Sequence, residues 1–488
     1  LMNVPCPDSN EFKKLAIKFN YIPIFSIISK QGHTPVSVYR NLKSASNSFL
    51  LESVEGSKNV ARFSFIGINP QKVIKTGDKE EYSKVNPLEI LEDSIENINQ
   101  PNIRGLPKFN GGAVGYLSYE TVSYFEPKIK KIQNALTYFP ESIFLIGSTL
   151  IIFDHEEDCI FVVAHADLRK EENLDKAFKK CNHEIKEIIS QIQKIKPEIT
   201  QEMADATNLE IEYLTTREEF KKSVESTKEL IYQGEMIQAV LSQKLRVKTS
   251  SNAINIFDSL RNINPSPYMF LLDFEDFQII GSSPELLVKL DDSTIAVHPI
   301  AGTRPRGENE DQDREIEIEL LNDEKEIAEH LMLLDLGRND LGKIAKPGTV
   351  EVTQQMEIER YSHVSHIVSH VEATISEKFN AFDLLKSAFP AGTVSGAPKV
   401  RAMEQIAKEE KFQRGPYSGA VGYFSFDGNM DTAIAIRTIV LKDGTAFLQA
   451  GAGIVADSNP DKEHEECLAK MGALIKALEY AKNSEISE

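Results

Sequence analysis

The sequence has no tryptophan in 488 residues and only four cysteines. Cys6, Cys159, Cys181 and Cys467 are scattered, with neither metal-site spacing nor disulfide density. That excludes a disulfide-stapled scaffold and a thiolate metal centre, and it fits a reducing compartment. Positive charge is also short: 55 basic against 74 acidic residues give a net charge of −19. Such a field disfavours general nucleic-acid binding and adsorption to an anionic membrane. An anionic substrate would need local basic residues or a metal to overcome it. No apolar run reaches the length of a membrane span. The N-terminal stretch carries no signal-peptide pattern, so a cytoplasmic location is expected. What is present is an ordinary globular composition, 41% apolar, at a length that suits two or three domains.

Three segments follow from patterning. Residues 1–166 are rich in short β-type runs (19–28, 48–54, 62–68, 143–165), with one amphipathic helix expected over 87–98. Residues 167–212 are charged and helical up to Pro197, and an exposed linker is expected near 197–210. Residues 213–488 form the third segment. Strands are expected there at 236–247, 268–273, 277–281, 285–290 and 294–300, a helix over 323–336, and a β-meander over 417–450 with turns at Asp427-Gly428 and Asp443-Gly444. The pentapeptide GAVGY occurs at 112–116 and again at 419–423. If this is not coincidence, each half supplies an equivalent strand to one of two facing sheets.

Two stretches concentrate chemistry. In QAGAGIVADSNPDKEHEECLAKM, 449–471, Gly451 and Gly453 suggest a tight turn with positive φ and close ligand approach. Ser458 or Asn459 can cap the helix that begins at Pro460. Glu463, Glu466 and Lys470 then share one helical face, with Cys467, Met471, Leu474 and Leu478 on the apolar face beside it. In LLNDEKEIAEHLMLLDLGRNDLGK, 320–343, Asn322 or Asp323 can cap a second helix. Glu326 and Glu329 repeat the spacing, with Ile327, Leu331 and Leu334 on another face. Taken alone, both helices read as solvated acidic surfaces. Together, paired carboxylates suit Mg²⁺, which takes one or two of them plus waters and substrate oxygens. Zn²⁺ is disfavoured because sulfur and suitably spaced histidine are missing.

The motifs HPIAGTRPRG (298–307), DLGRNDLGK (335–343), PAGTVSGAPK (390–399), GPYSGAVGYF (415–424), AIRT (435–438) and 449–470 occur in this order. Together they resemble the chorismate-utilising enzyme family, over about 215–480. Members of that family make anthranilate, aminodeoxychorismate, isochorismate or salicylate. The resemblance implies an α+β fold: two large antiparallel β-sheets packed face to face with helices outside, and an active-site cleft in the core. Residues 213–488 become the chorismate-binding catalytic domain and 1–166 a regulatory, sheet-contributing one. By the same resemblance, Glu329 and Glu466 match direct Mg²⁺ ligands, and Glu326 and Glu463 stand one remove behind them. Tyr417, Arg437, Lys470 and the backbone at Gly451 and Gly453 match the substrate-carboxylate site. Thr303 and Thr393 match hydroxyls that line the pocket. Glu285 matches the acid that protonates the departing ring hydroxyl. His366 matches a histidine tied to hydroxyl loss and later proton transfer, whereas a lone strand histidine is more often structural. His363 and His370 are expected to be structural.

Two positions divide the family. Its hydroxylating members place a lysine where Gln238 stands, and an amide cannot act as a base. Its aminodeoxychorismate-forming members usually place a nucleophilic lysine where Ala301 stands. Both substitutions point to the anthranilate-forming branch, with ammonia as the direct attacker. No amidotransferase-type nucleophilic cysteine with a partner histidine occurs in the chain. The resemblance therefore implies a separate glutaminase subunit and a hetero-oligomer, expected as a heterotetramer. LLES (50–53) and NPSPYMF (264–270) resemble tryptophan-binding segments, so Glu52, Ser53, Pro267, Tyr268 and Met269 are expected to hold tryptophan as an inhibitor. The alternatives are the aminodeoxychorismate-forming branch and a non-catalytic tryptophan-binding regulator of the same fold.

Overall fold

The computed structural model describes residues 5–42, 46–54, 62–195, 209–361 and 364–481. Most of the expected linker, and His363, lie outside these residues. Strands assemble into one twelve-stranded and one ten-stranded sheet. Every pairing between named strands is antiparallel.

Alternation along the strands divides the core into layers. Phe49, Leu272 and Ile279 of the first sheet pack on Val114, Tyr116 and Leu145 of the second, in one buried cluster between them. The outer face of the first sheet is covered by the helices Leu174–Ile192, Ala253–Ile263 and Pro460–Ala481, through Ile185, Phe257 and Leu474. That of the second is covered by Glu324–Gly342 and Ala381–Ala388, through Leu341 and Leu384, while Lys399–Glu409 packs on the first sheet at strand Gln238–Lys248. The expected fold class therefore stands.

Both sheets draw strands from each side of the undescribed 196–208 segment. Ser48–Glu52 pairs with Tyr268–Asp273 in the first sheet, and Gly112–Leu117 with Ala420–Ser425 in the second. The repeated pentapeptides are thus partners in one sheet, with Gly115 opposite Gly422. A Cβ on either would stand within 2.1 Å of a neighbouring carbonyl oxygen, which gives both glycines a packing reason.

The 417–450 meander is split. Ala420–Ser425 and Met430–Ile434 belong to the second sheet, Thr438–Lys442 and Thr445–Ile454 to the first. The tight turn at Asp443 and Gly444 has both residues at positive φ, +49° and +66°, the backbone a two-residue hairpin needs. The expected glycine turn at 451–453 does not form. The strand continues through Ile454, and neither Gly451 nor Gly453 is among the positive-φ residues. They are small for a different reason: a Cβ on Gly453 would stand 2.3 Å from the Gln238 amide nitrogen, and one on Gly451 2.9 Å from the Tyr417 hydroxyl.

Candidate active site

Two chain segments cross between the sheets side by side. One runs from strand Gln278–Ser283 to strand Leu286–Asp291, and the other from Met430–Ile434 to Thr438–Lys442. They are joined by Ile434 N–H donating to the Glu285 carbonyl (3.1 Å) and Ser282 N–H donating to the Arg437 carbonyl (3.1 Å). Arg437 makes its crossing at φ +49°, a left-handed conformation that costs a non-glycine residue of order 1 kcal/mol or more. This pairing is what places Glu285 and Arg437 together.

Glu285 is buried, and burial pushes its carboxyl up to about 8. The charges of Lys470 and Arg437 act the other way, and the buried Thr393 hydroxyl finds no hydrogen-bond partner among the described residues. At neutral pH the group is mainly a carboxylic acid. Lys470, on helix Pro460–Ala481, donates to the Gly451 carbonyl (2.9 Å) and pairs with Glu466 (2.7 Å). Tyr417 is buried against the same strand, its phenol pushed up by burial.

His366 lies on strand Val364–Thr374, in register with Thr303 of strand Ile300–Pro305. Its Nδ1 is 3.0 Å from the Gly302 carbonyl and 3.0 Å from Thr303 Oγ1. A carbonyl only accepts, so Nδ1 carries the proton and Nε2 keeps its lone pair. Burial lowers the ring's pKa, which favours this neutral form.

The two acidic helices form as expected at their starts. Asp323 caps Glu324–Gly342, accepting from the Lys325 and Glu326 amides, and Asn459 accepts from the Asp461 and Lys462 amides. The apolar face of the first was misjudged at one position: Leu331 is 41% exposed, while His330, Leu333 and Leu334 are buried. Glu329 accepts from the Gln238 amide at 3.1 Å. Its carboxyl is raised mainly by burial, and further by the charges of Glu326 and Glu466, with Lys470 opposing. Glu326 is held by Arg304 at 3.0 Å. Glu463 is raised by burial and by the charge of Glu466. Carboxylates from both helices therefore share one electrostatic neighbourhood, rich in hard oxygen donors, whose mutual repulsion a cation would relieve. Among the described residues, no three His, Cys, Asp or Glu side chains close into a ready ion cage. An ion that completes its shell with water and substrate oxygens fits this set better than one needing an all-protein cage.

A buried network beside the site has no counterpart in the sequence reading. The Arg414 side chain is fully buried and forks onto both oxygens of Glu410 at 2.6 and 2.8 Å. It also donates to the Val240 and Val394 carbonyls, both at 2.7 Å. Glu120, from the N-terminal half, accepts from the Arg414 and Gly415 amides. Losing one partner would strand a buried charge, at roughly 3–5 kcal/mol.

All five residues expected to hold an inhibitor line one cavity of about 420 Å³ between the sheets: Glu52, Ser53, Pro267, Tyr268 and Met269. Glu52 is buried, and its carboxylate accepts from Arg261 at 3.0 Å. Two further acids line the cavity: Asp291, which pairs with Lys108, and Asp431, pushed up to about 6 by burial, with Lys289 3.9 Å away. Asp431 was missed because nothing local marks it.

A family described as chorismate binding enzyme matches residues 46–476. The chain is 43% identical to anthranilate synthase component 1 of Acetivibrio thermocellus, over 97% of this chain and 99% of that protein. It is 42% identical to the protein of the same name from Aquifex aeolicus, over 97% and 98%. The crystal structure of anthranilate synthase component I from Streptococcus pneumoniae superposes with a TM-score of 0.77 at 34% identity, covering 92% of this chain and 99% of that one. The menaquinone-specific isochorismate synthase of Escherichia coli shares the fold, with a TM-score of 0.70 at 19% identity over 96% and 98%.

Proposed function

The chain belongs to the chorismate-binding enzyme family, on its anthranilate synthase component I branch, and we propose that it joins ammonia to chorismate and releases anthranilate, pyruvate and water. This is the first step of tryptophan biosynthesis. What supports the reading most is the junction of Glu329 with Gln238, Glu466 and Lys470, beside the paired crossings that carry Glu285 and Arg437.

Chorismate is a dianion, and Arg437 and Lys470 are the cations placed to receive its carboxylates. Gly451 and Gly453 leave room for it against the strand, with Tyr417 closing one wall. Glu285, protonated in its buried setting, gives its proton to the departing ring hydroxyl, and Thr393 lines the pocket. His366, fixed through Nδ1 by Gly302 and Thr303, takes the ring proton at Nε2 when pyruvate leaves. Glu329 and Glu466 would hold Mg²⁺, with Glu326 and Glu463 keeping them in place. Bound there, the ion offsets the charge of the ring carboxylate and fixes its orientation. Ala301, 9% exposed on its strand, offers no nucleophile, which favours direct attack by ammonia over the aminodeoxychorismate branch.

Ammonia comes in this reading from a glutaminase subunit, in a heterotetramer in the cytoplasm. Tryptophan occupies the 420 Å³ cavity as feedback inhibitor. No described helix is long and apolar enough to cross a membrane.

The test is an assay of chorismate, ammonium and Mg²⁺ with the purified chain, followed by anthranilate fluorescence. Signal is expected without any added lyase. It should vanish with a chelator and in Glu329→Ala or Glu466→Ala. Aminodeoxychorismate without pyruvate would shift the protein to the neighbouring branch. Tryptophan binding without turnover would make it a regulator.

A further inference from the structure

Strand Gln238–Lys248 has an incomplete edge. Residues 238–239 pair with Gly396–Ala397, and 245–247 with Ile211–Tyr213. Between these, residues 240–244 have a strand on one side only. Side chains fill the gap. Arg414 donates to the Val240 carbonyl, and Glu410 accepts from Ser242 N–H at 2.9 Å. A cavity of about 360 Å³ opens here, against helices Arg217–Tyr232 and Lys399–Glu409. Ser223 and Ser226 line its outer part, and Ser242, Lys244, Glu410 and Gln449 its inner part.

The inner wall has a fixed hydrogen-bond polarity. The Ser242 hydroxyl donates its one proton to Glu410 at 2.7 Å. It can then only accept from Gln449, whose Nε2 lies 2.7 Å away. The Gln449 amide is thereby oriented, and its Oε1 finds no hydrogen-bond partner among the described residues, although the side chain is only 6% exposed. A buried acceptor left open in this way calls for an N–H or O–H donor. Lys244, the cation inside, is pushed down to about 8 by burial, so it gives up its charge readily beside a second ammonium.

The position suits the chemistry. Ser242 is in register with Gly451, and Gln449 lies two residues before Gly451 on the same face of the same strand. Arg414, paired with Glu410 of the cavity wall, lies over the Tyr417 ring at 5.6 Å, and the Tyr417 hydroxyl stands against Gly451. We propose that this cavity is the entry site for ammonia, seated as an N–H donor on Gln449 Oε1 before it passes the sheet edge to the ring. The proposal rests on the amination reading above.

Two variants test it. Gln449→Met removes the open acceptor, and Ser223→Trp narrows the mouth from a helix surface where folding is little disturbed. With ammonium as the varied substrate, each should raise its KM about fivefold or more while the KM for chorismate stays within about twofold. Tryptophan binding, read by calorimetry, should persist as a sign of an intact fold. If Gln449→Met does not fold, Ser223→Trp decides alone. Ammonium dependence unchanged in the folded variants overturns the cavity assignment and leaves the amination reading standing. No amination by the unaltered chain overturns both.

Discussion

Gln238 donates its amide hydrogen to Glu329 across 3.1 Å, and the same amide nitrogen fills the space a Cβ on Gly453 would need. Gln238, at the position that the family resemblance ties to the choice between amination and hydroxylation, is therefore in direct contact with a proposed cation ligand. Its size also explains why the neighbouring strand carries glycine.

Gln238→Lys puts an ammonium where that amide now sits. It would pair with Glu329 and compete with the cation for the carboxylate. We expect the Mg²⁺ concentration for half-maximal anthranilate formation to rise about tenfold or more, as charge competition at a ligand predicts. A Mg²⁺ titration of fluorescence checks this. An unchanged titration would separate Glu329 from the ion.

Glu285 gives a pH prediction with a definite sign. Its carboxyl, raised to about 8 by burial, is protonated below that value and ionised above it. A general acid must hold its proton, so kcat/KM for chorismate should be level from about pH 8 down to the range where His366, lowered by burial, takes up a proton. Above about pH 8 it should fall about tenfold per unit, the limb that reports an acid of the free enzyme. The measurement is made at constant unprotonated ammonia, because ammonium titration would otherwise mask the limb. A flat profile to pH 9.5 or so would remove Glu285 as the acid.

The parts of the site that the sequence makes legible are those set by local chemistry. Asp323 and Asn459 cap their helices because a short polar side chain beside free amides does so anywhere. Asp443-Gly444 forms its turn for an equally local reason. Motif resemblance reached Glu329, Glu466 and His366. Partnership was not legible. Glu120 meets Arg414 across nearly three hundred residues, and no periodicity announces it. Gly451 and Gly453 differ from expectation for the same cause: their smallness answers groups from distant segments, the Leu241 carbonyl oxygen and Tyr417 for the first and Gln238 for the second, and the turn chemistry that glycine usually signals is not used. Helix Glu310–Asn322 also escaped notice, since its acidic sequence buries only Asp313 and Leu320.

His366→Ala tests whether the histidine is chemical or structural. With Nδ1 committed to Gly302, only Nε2 can move a proton. Loss of a positioned base typically costs 10²–10⁴-fold, and anthranilate formation should fall by about that much. The amino intermediate should accumulate and be visible by chromatography, which packing damage alone would not produce. An unchanged rate would end the role.

Ser53→Phe addresses the inhibitor cavity without touching the catalytic groups. Ser53 borders the 420 Å³ space beside Pro267, Tyr268 and Met269, and a phenyl ring there would take up volume that an indole needs. Overpacking a filled site of this kind costs about 1–3 kcal/mol, so tryptophan should bind about 5- to 150-fold more weakly. The uninhibited rate should hold, because Glu285, Arg437 and Lys470 are not among the residues that line this cavity. Asp431→Asn separates the two halves of the ligand. Of the three cavity acids, Glu52 is held by Arg261 and Asp291 by Lys108, whereas Asp431 has Lys289 only at 3.9 Å. Its loss should weaken tryptophan while leaving an uncharged indole analogue unaffected. Calorimetric titration with both ligands decides the point, and equal weakening of the two would place the ammonium group elsewhere.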